Sequence, residues 1–305
     1  MVKTIDCPIC NVKNIDKKHP YSCHKIKYAS FIEKYYPRFD ILTKEPIKFK
    51  SEDSYFLTDF NDKRNLKKYL ESISKEGGLN YLKDYLCRRR EFKQNSGFAL
   101  TEFEIKSLIF PSINYIERYY GVGSYKKLCL DSRLQIKYDY NTIPEFDRDI
   151  SGQDFICDTR EQKIISLPNM QVSKLEFGDY TLEKSNLFIE RKSLADLLGT
   201  LSKGYERFNR EIQRCKNKDS YLLILIEENY KNLQSFEYMP HIHSKCTWSF
   251  ISHRIRELIQ KYPCHIQFLA VDGRQEAARI IEKVFKLEDS ILSIDLQYLY
   301  DIGDL

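Results

Sequence analysis

Several residue types are scarce in this chain. Tryptophan occurs once and methionine three times in 305 residues, and there are only 11 glycines and nine prolines. That excludes a collagen-like or low-complexity chain. No stretch of about 18 apolar residues is present, so no transmembrane helix is expected. The opening MVKTIDCPIC is too polar to read as a secretory signal. Nine cysteines make no paired framework, so the expected setting is a reducing intracellular compartment, cytoplasm or nucleus. An acidic excess is missing as well: 49 Lys and Arg face 44 Asp and Glu, a net charge of +5.

Hydrophobic residues make up 42% and charged residues 30%, a globular composition, and the length allows about two domains. The charge is unevenly spread. Residues 1–150 hold 28 Lys and Arg against 21 Asp and Glu, a net +7, and residues 151–305 hold 21 against 23, a net −2. A basic front half suits the holding of a polyanion and the back half the supply of carboxylates. The plainer alternative is a solvated basic surface.

Four segments separate along the chain. Residues 1–40 carry CPIC and further metal-ligand types. Residues 41–145 read as helices, with LTDFNDKRNLKKYLESISKEGG stopping at Gly77 and Gly78. A linker with Pro144 and Gly152 leads into 150–290, and 291–305 is left as a tail. Within 150–290, DFICD, MQVSKLEF, YTLEK, LFIERK, YLLILIEE and HIQFLAV read as strands. SLADLLGTLSKGYERFNREIQRC, TWSFISHRIRELIQKY and RQEAARIIEKVFKL read as helices. The order implies an α/β sheet covered by helices, with YLLILIEE central because it is apolar on both faces.

LFIERK is an odd strand, because it carries three charges in a row. Glu190 and Lys192, two apart, share one strand face, and Arg191 takes the other. Asp179 follows Gly178, where a turn can bring it beside Glu190, and Asp158 ends the strand DFICD. Three converging carboxylates would repel one another without a cation, and such hard oxygen ligands suit Mg²⁺ or Mn²⁺. That combination matches phosphodiester hydrolysis: a metal activates water and neutralises phosphate, and Lys192 orients the water or stabilises the transition state.

Three spaced motifs, CDTREQ at 157–162, FGDYTL, and IERKSLADLLGTL, resemble the nuclease domain of the XPF-type structure-specific endonucleases over roughly residues 153–288. Asp158, Arg160 and Glu161 match the first motif, Gly178 and Asp179 the second, and Glu190, Arg191, Lys192 and Asp196 the third. The resemblance implies an α/β, restriction-endonuclease-like core. It also implies Mg²⁺- or Mn²⁺-dependent DNA cleavage, with Asp158, Asp179 and Glu190 as metal ligands and Lys192, Arg160, Glu161, Arg191 and Asp196 as further site residues. Asp196 equally fits a helix-capping role after Ser193, and Arg160 fits pairing with a carboxylate. A homodimer through about residues 247–288 is implied too. The family's preceding helicase region and following tandem helix-hairpin-helix motifs are not evident, so the grip on DNA is expected in the front half.

That half offers Cys7, Cys10, His19 and His24 for a tetrahedral Zn²⁺, with Cys23 as the alternative to either histidine. Further on, P-S-x-x-x-I followed by G-S-Y-K-K-L resembles a small helical repeat found beside homing-type endonucleases. It implies a recognition-type helix after Pro111 and Ser112 with Tyr115, Arg118 and Tyr119 exposed, then a turn at Gly123 and Ser124. Lys63, Arg64, Lys67 and Lys68, Arg88, Arg89 and Arg90, and Lys126 and Lys127 are the candidate phosphate contacts. His241, His243, Cys246 and His253 read as a loop entering a helix rather than a second metal site.

The combined expectation is a DNA endonuclease: a zinc unit, a helical DNA-binding middle and an XPF-like nuclease domain, cutting at a chosen site in double-stranded DNA. The alternatives are a nuclease for flapped or branched DNA and an inactive DNA-binding scaffold.

Overall fold

The computed structural model describes residues 5–16, 18–47, 58–90, 97–240, 242 and 245–305. They divide into two compact units, Met1–Gly97 with Leu108–Leu134, and Phe98–Ser107 with Gln135–Leu305. Along the chain run α1 (His19–His24), α2 (Tyr28–Tyr35), α3 (Lys63–Ser72), α4 (Lys75–Arg90), α5 (Glu102–Lys106, in the second unit), α6 (Ile113–Tyr120) and α7 (Ser124–Asp131). Among the described residues, no helix is long and apolar enough to cross a membrane.

In the first unit, Gly77 and Gly78 do not stop a helix. The break falls at Ile73, and Ser74 starts α4 by accepting the Gly77 N–H at 3.1 Å. Gly78 then sits against the Tyr120 ring of α6, where a Cβ would collide with the phenol. The core is aromatic: Phe60 packs with Tyr69 and Tyr81, and Tyr85 lies 4.9 Å from Phe110. Ser112 caps α6, and the Glu117 carboxylate accepts the Gly123 and Tyr125 N–H groups, which fixes the turn into α7.

The second unit is built on one six-stranded sheet. Its strands are β1 (Phe155–Asp158), β2 (Met170–Ser173), β3 (Tyr180–Leu182), β4 (Leu187–Lys192), β5 (Tyr221–Ile226) and β6 (Ile266–Ala270), in the order β2-β1-β3-β4-β5-β6. β3 is antiparallel to β1 and β4, and β4, β5 and β6 run parallel. Every residue of β5 is buried, as the YLLILI run requires. Packed on the sheet or beside it are α8 (Leu194–Leu201), α9 (Tyr205–Asn217), α10 (Tyr230–Ser235), α11 (Trp248–Lys261), α12 (Arg274–Leu287) and α13 (Leu296–Ile302). The mixed α/β class and the helical front region agree with expectation.

Two expectations change. The segment 193–215 is two helices, broken at Ser202–Gly204. Gly204 approaches the Thr200 backbone so closely that a Cβ would stand 3.2 Å from it. The tail is part of the fold: buried Gln267 on edge strand β6 bonds to the carbonyls of Ile291 and Ile294 and to the Leu296 N–H. Gln297 of α13 accepts the Ala270 N–H at 2.9 Å. These side chains cover the β6 edge from within the chain.

Candidate active site

β4 brings the charges together. Glu190 and Lys192 lie on one face and pair with each other, while Arg191 points the other way. Gly178, at φ +60°, turns the chain so that the Asp179 N–H donates to the Ile189 carbonyl at 2.8 Å and Asp179 Oδ2 accepts the Arg191 N–H at 2.8 Å. A side chain at 178 would meet the Ile189 carbonyl oxygen at 2.9 Å, so only glycine fits. The strand–turn–strand geometry therefore sets Asp179 beside Glu190.

Burial and Glu190's charge push the Asp179 carboxyl up to about 7, against the pull of the Arg191 N–H and the Lys192 ammonium. Burial also raises Glu190, and the Glu211 charge adds to that, while Lys192 opposes it. Burial disfavours the Lys192 ammonium, yet Glu190, Asp179 and Glu211 together hold it above the ordinary lysine value. This is a buried centre with an excess of negative charge.

Asp158 behaves differently. Its Oδ1 accepts from the Arg160 N–H and Nε at 2.7 Å each. Its Oδ2 accepts from Arg160 Nη2 at 2.9 Å and the Leu175 N–H at 2.7 Å. The Arg160 side-chain bond, aided by the Arg160 and Leu175 N–H groups, outweighs burial and holds this carboxyl down at about 2. The three-carboxylate convergence is thus corrected. Among the described residues, the one group of ligand atoms all within 4.8 Å of one another is the cysteine–histidine set, and Asp158, Asp179 and Glu190 form no such group. The reason is Arg160, two residues along, which folds back and saturates Asp158.

The remaining motif residues are internal. Arg191 donates to Glu227 at 2.8 and 2.5 Å, to the Lys163 carbonyl at 2.7 Å and to the Tyr180 hydroxyl at 3.2 Å, with Glu161 3.8 Å away. It ties the loop after β1 to β3 and β5. Asp196 accepts the Ser193 hydroxyl at 2.6 Å and gives its N–H to the same oxygen, which is the capping role.

Residues 156–284 match the family described as the ERCC4 domain. The second unit carries an ERCC4 domain. This bears out the XPF-type resemblance for the nuclease portion. A search of curated proteins found no match. A solved structure, XPF from Aeropyrum pernix in complex with DNA, is 18% identical with a TM-score of 0.35. The alignment covers 44% of this chain and 64% of that one. A second structure of XPF from Aeropyrum pernix gives 18% and 0.34, covering 45% and 67%. The chain thus spans less than two thirds of the first of these.

The motif reading of the ERCC4 domain missed Glu211 on α9, whose charge acts on Glu190, Lys192 and Arg160 alike. Its only signal in the sequence is a carboxylate one helical turn after Phe208, on a helix that follows the motif.

In the first unit, the Cys7, Cys10, His19 and His24 ligand atoms cluster as expected. Cys7 Sγ lies 3.2 Å from His24 Nε2 and Cys10 Sγ 3.3 Å from His19 Nε2. Tetrahedral Zn²⁺ with its usual bond lengths requires sulfur–nitrogen separations of about 3.5 Å, so this donor set fits the ion. Burial raises the Cys7 thiol, but the Cys10 and Ile9 N–H groups and the Cys10 and His19 side chains outweigh it and bring it to about 6. Cys23 stands outside the group, exposed, with Sγ 3.6 Å from His19 Nδ1. The core here is only Cys7, Ile15, Phe31 and Ile32 with a few half-buried neighbours, too little to hold alone.

The basic residues are placed unequally. Arg64, Lys67, Lys68, Arg118, Lys126 and Lys127 are exposed, and Lys63 and Ser124 are half-buried. Arg88 pairs with Asp59 at 3.0 Å, Arg89 is buried, and Arg90 donates to the Ser132 carbonyl at 2.8 Å, so this run is tied up within the unit. Tyr115 and Tyr119 are not the exposed pair expected. They are half-buried and stacked 5.4 Å apart, with the Lys67 and Lys75 ammoniums each 5.2 Å from a ring. His241 and His243 lie outside the described residues.

Proposed function

We propose that the chain is a DNA endonuclease that depends on a divalent cation, with Asp179, Glu190 and Lys192 at its centre. The observation that carries this is the buried, mutually repelling Asp179–Glu190 pair beside Lys192, within an ERCC4 domain. Among the described residues no hydrogen bond uses Asp179 Oδ1 or Glu190 Oε2, and two hard oxygens beside excess negative charge fit Mg²⁺ or Mn²⁺. Bound there, the ion would supply an acidified water and charge for the phosphate. Lys192, held protonated by its acidic neighbours, is placed to steady the anionic phosphate. Asp158 fixes Arg160, whose guanidinium is two-thirds exposed and free to face the backbone of DNA. Arg191 and Glu161 hold the β1 loop in place.

The substrate reading favoured by the ERCC4 match is DNA of branched or flapped shape. Cutting at a chosen sequence is the second reading, favoured by the capped α6–turn–α7 pair with Arg118, Lys126 and Lys127 on its surface. The zinc unit supports the front half as the grip on DNA, by stapling a segment with almost no core. A homodimer through residues 247–288 would use the outer faces of α11 and α12, because the β6 edge is covered. Intracellular action follows from the same reading, since free thiols and a thiolate zinc site suit a reducing compartment.

The test is cleavage of plasmid and of flap or fork duplexes, with and without Mg²⁺ or Mn²⁺, by the native chain and by Glu190→Gln and Lys192→Met. A loss of about 10²-fold or more in each variant is expected. Equal cleavage by Glu190→Gln would remove the proposed centre and leave the inactive-scaffold reading. Discrete plasmid fragments would favour site recognition, and cutting only at junctions would favour shape.

A further inference from the structure

We infer that Glu211 supplies the third carboxylate of this centre, the position that Asp158 does not fill. The inference rests on the reading above and assigns a residue to it. Asp158 is unavailable: both oxygens are engaged, through four bonds from Arg160 and Leu175. Its task is to position Arg160.

Glu211 lies on the opposite wall. Lys192 Nζ is 5.8 Å from the ring centre of Phe208 on α9, so this face of α9 borders the Glu190–Lys192 face of β4. Glu211 is three residues after Phe208 and therefore on the same face, about one helical turn further. Its charge is felt at Glu190, Lys192 and Arg160, three side chains from two different strand ends. A carboxylate within reach of all three stands at the mouth of the centre. Glu211 is half-buried, and among the described residues it accepts no hydrogen bond and joins no ion pair. It is thus a partly desolvated carboxylate with no internal role, next to two others already carrying excess negative charge. A hard divalent cation is the partner such a trio lacks.

The experiment is calorimetric titration of Mn²⁺ into the full chain without DNA. The soft thiolate–imidazole set discriminates against Mn²⁺, so the titration reports the carboxylates. Glu211→Gln should weaken Mn²⁺ by about tenfold or more, and Asp158→Asn should leave it within about threefold. Glu211→Asp should recover part of the loss. Thermal melts establish that each variant folds, and Glu211 on a half-exposed helix face should tolerate the isosteric amide. Native-like Mn²⁺ affinity in Glu211→Gln, beside a clear loss in Glu190→Gln, overturns this inference and leaves the centre standing. Failure of the native chain to bind Mn²⁺ overturns both.

Discussion

Replacing Asp179 with Asn probes the electrostatics on which the proposed centre depends. The carboxamide oxygen can still accept the Arg191 N–H, so the turn is kept while the charge is lost. In the native chain this carboxyl is raised from 3.8 to about 7, first by burial and then by Glu190. The folded state therefore keeps a proton that the unfolded chain has released. The associated stability is fully present below about pH 4 and is lost as pH rises through about 7. Carrying those two values through the linkage relation, the native chain loses about 2–3 kcal/mol between pH 5 and pH 8 that the Asn variant does not. Removing the charge also relieves Glu190, which acts in the same direction. For a unit of this size the gap corresponds to about 5–10 °C in melting temperature. The assay is a set of thermal melts of both proteins from pH 5 to pH 8 in chelated buffer. The variant should gain on the native chain as pH rises, and Mn²⁺ at pH 8 should stabilise the native chain and reverse that gain. A gap that stays constant with pH would show that Asp179 is not the strained carboxylate described here, and the centre would lose its physical basis.

Two further outcomes are expected. Elemental analysis should find about one zinc per chain. Cys10→Ser should lose it while Cys23→Ser keeps it, and a strong chelator should unfold the N-terminal segment but leave the sheet intact. Gly178→Ala should cost about 2–4 kcal/mol by thermal melt, because it combines a left-handed backbone with a collision at the Ile189 carbonyl. A melt unchanged by that substitution would mean the turn presenting Asp179 is not fixed as described.

What could be read ahead was whatever depends on local periodicity. The YLLILI run announces a strand buried on both faces, and the two-residue period of a strand alone puts Glu190 and Lys192 together and turns Arg191 away. CxxC with two histidines gathers ligands along a short stretch of chain, so spacing nearly determines the cluster. Features set by tertiary partners could not be read this way. Gly77 and Gly78 have the composition of a helix stop, but Tyr120, some 40 residues later, makes Gly78 a packing position. The same limit governs the centre. A sequence shows that Asp158 is acidic, and nothing in its spacing says that Arg160 will close on it rather than face the solvent. Once that bond is seen, the negative charge of the site has to be reassigned. Asp158 is neutralised by its neighbour, and the uncompensated charge rests on Asp179 and Glu190, with Glu211 approaching from a helix that follows the motif. A cation would therefore sit on the β4 and α9 side of the centre rather than at the end of β1. That displacement separates the function of the first motif, which orients an arginine, from that of the other two.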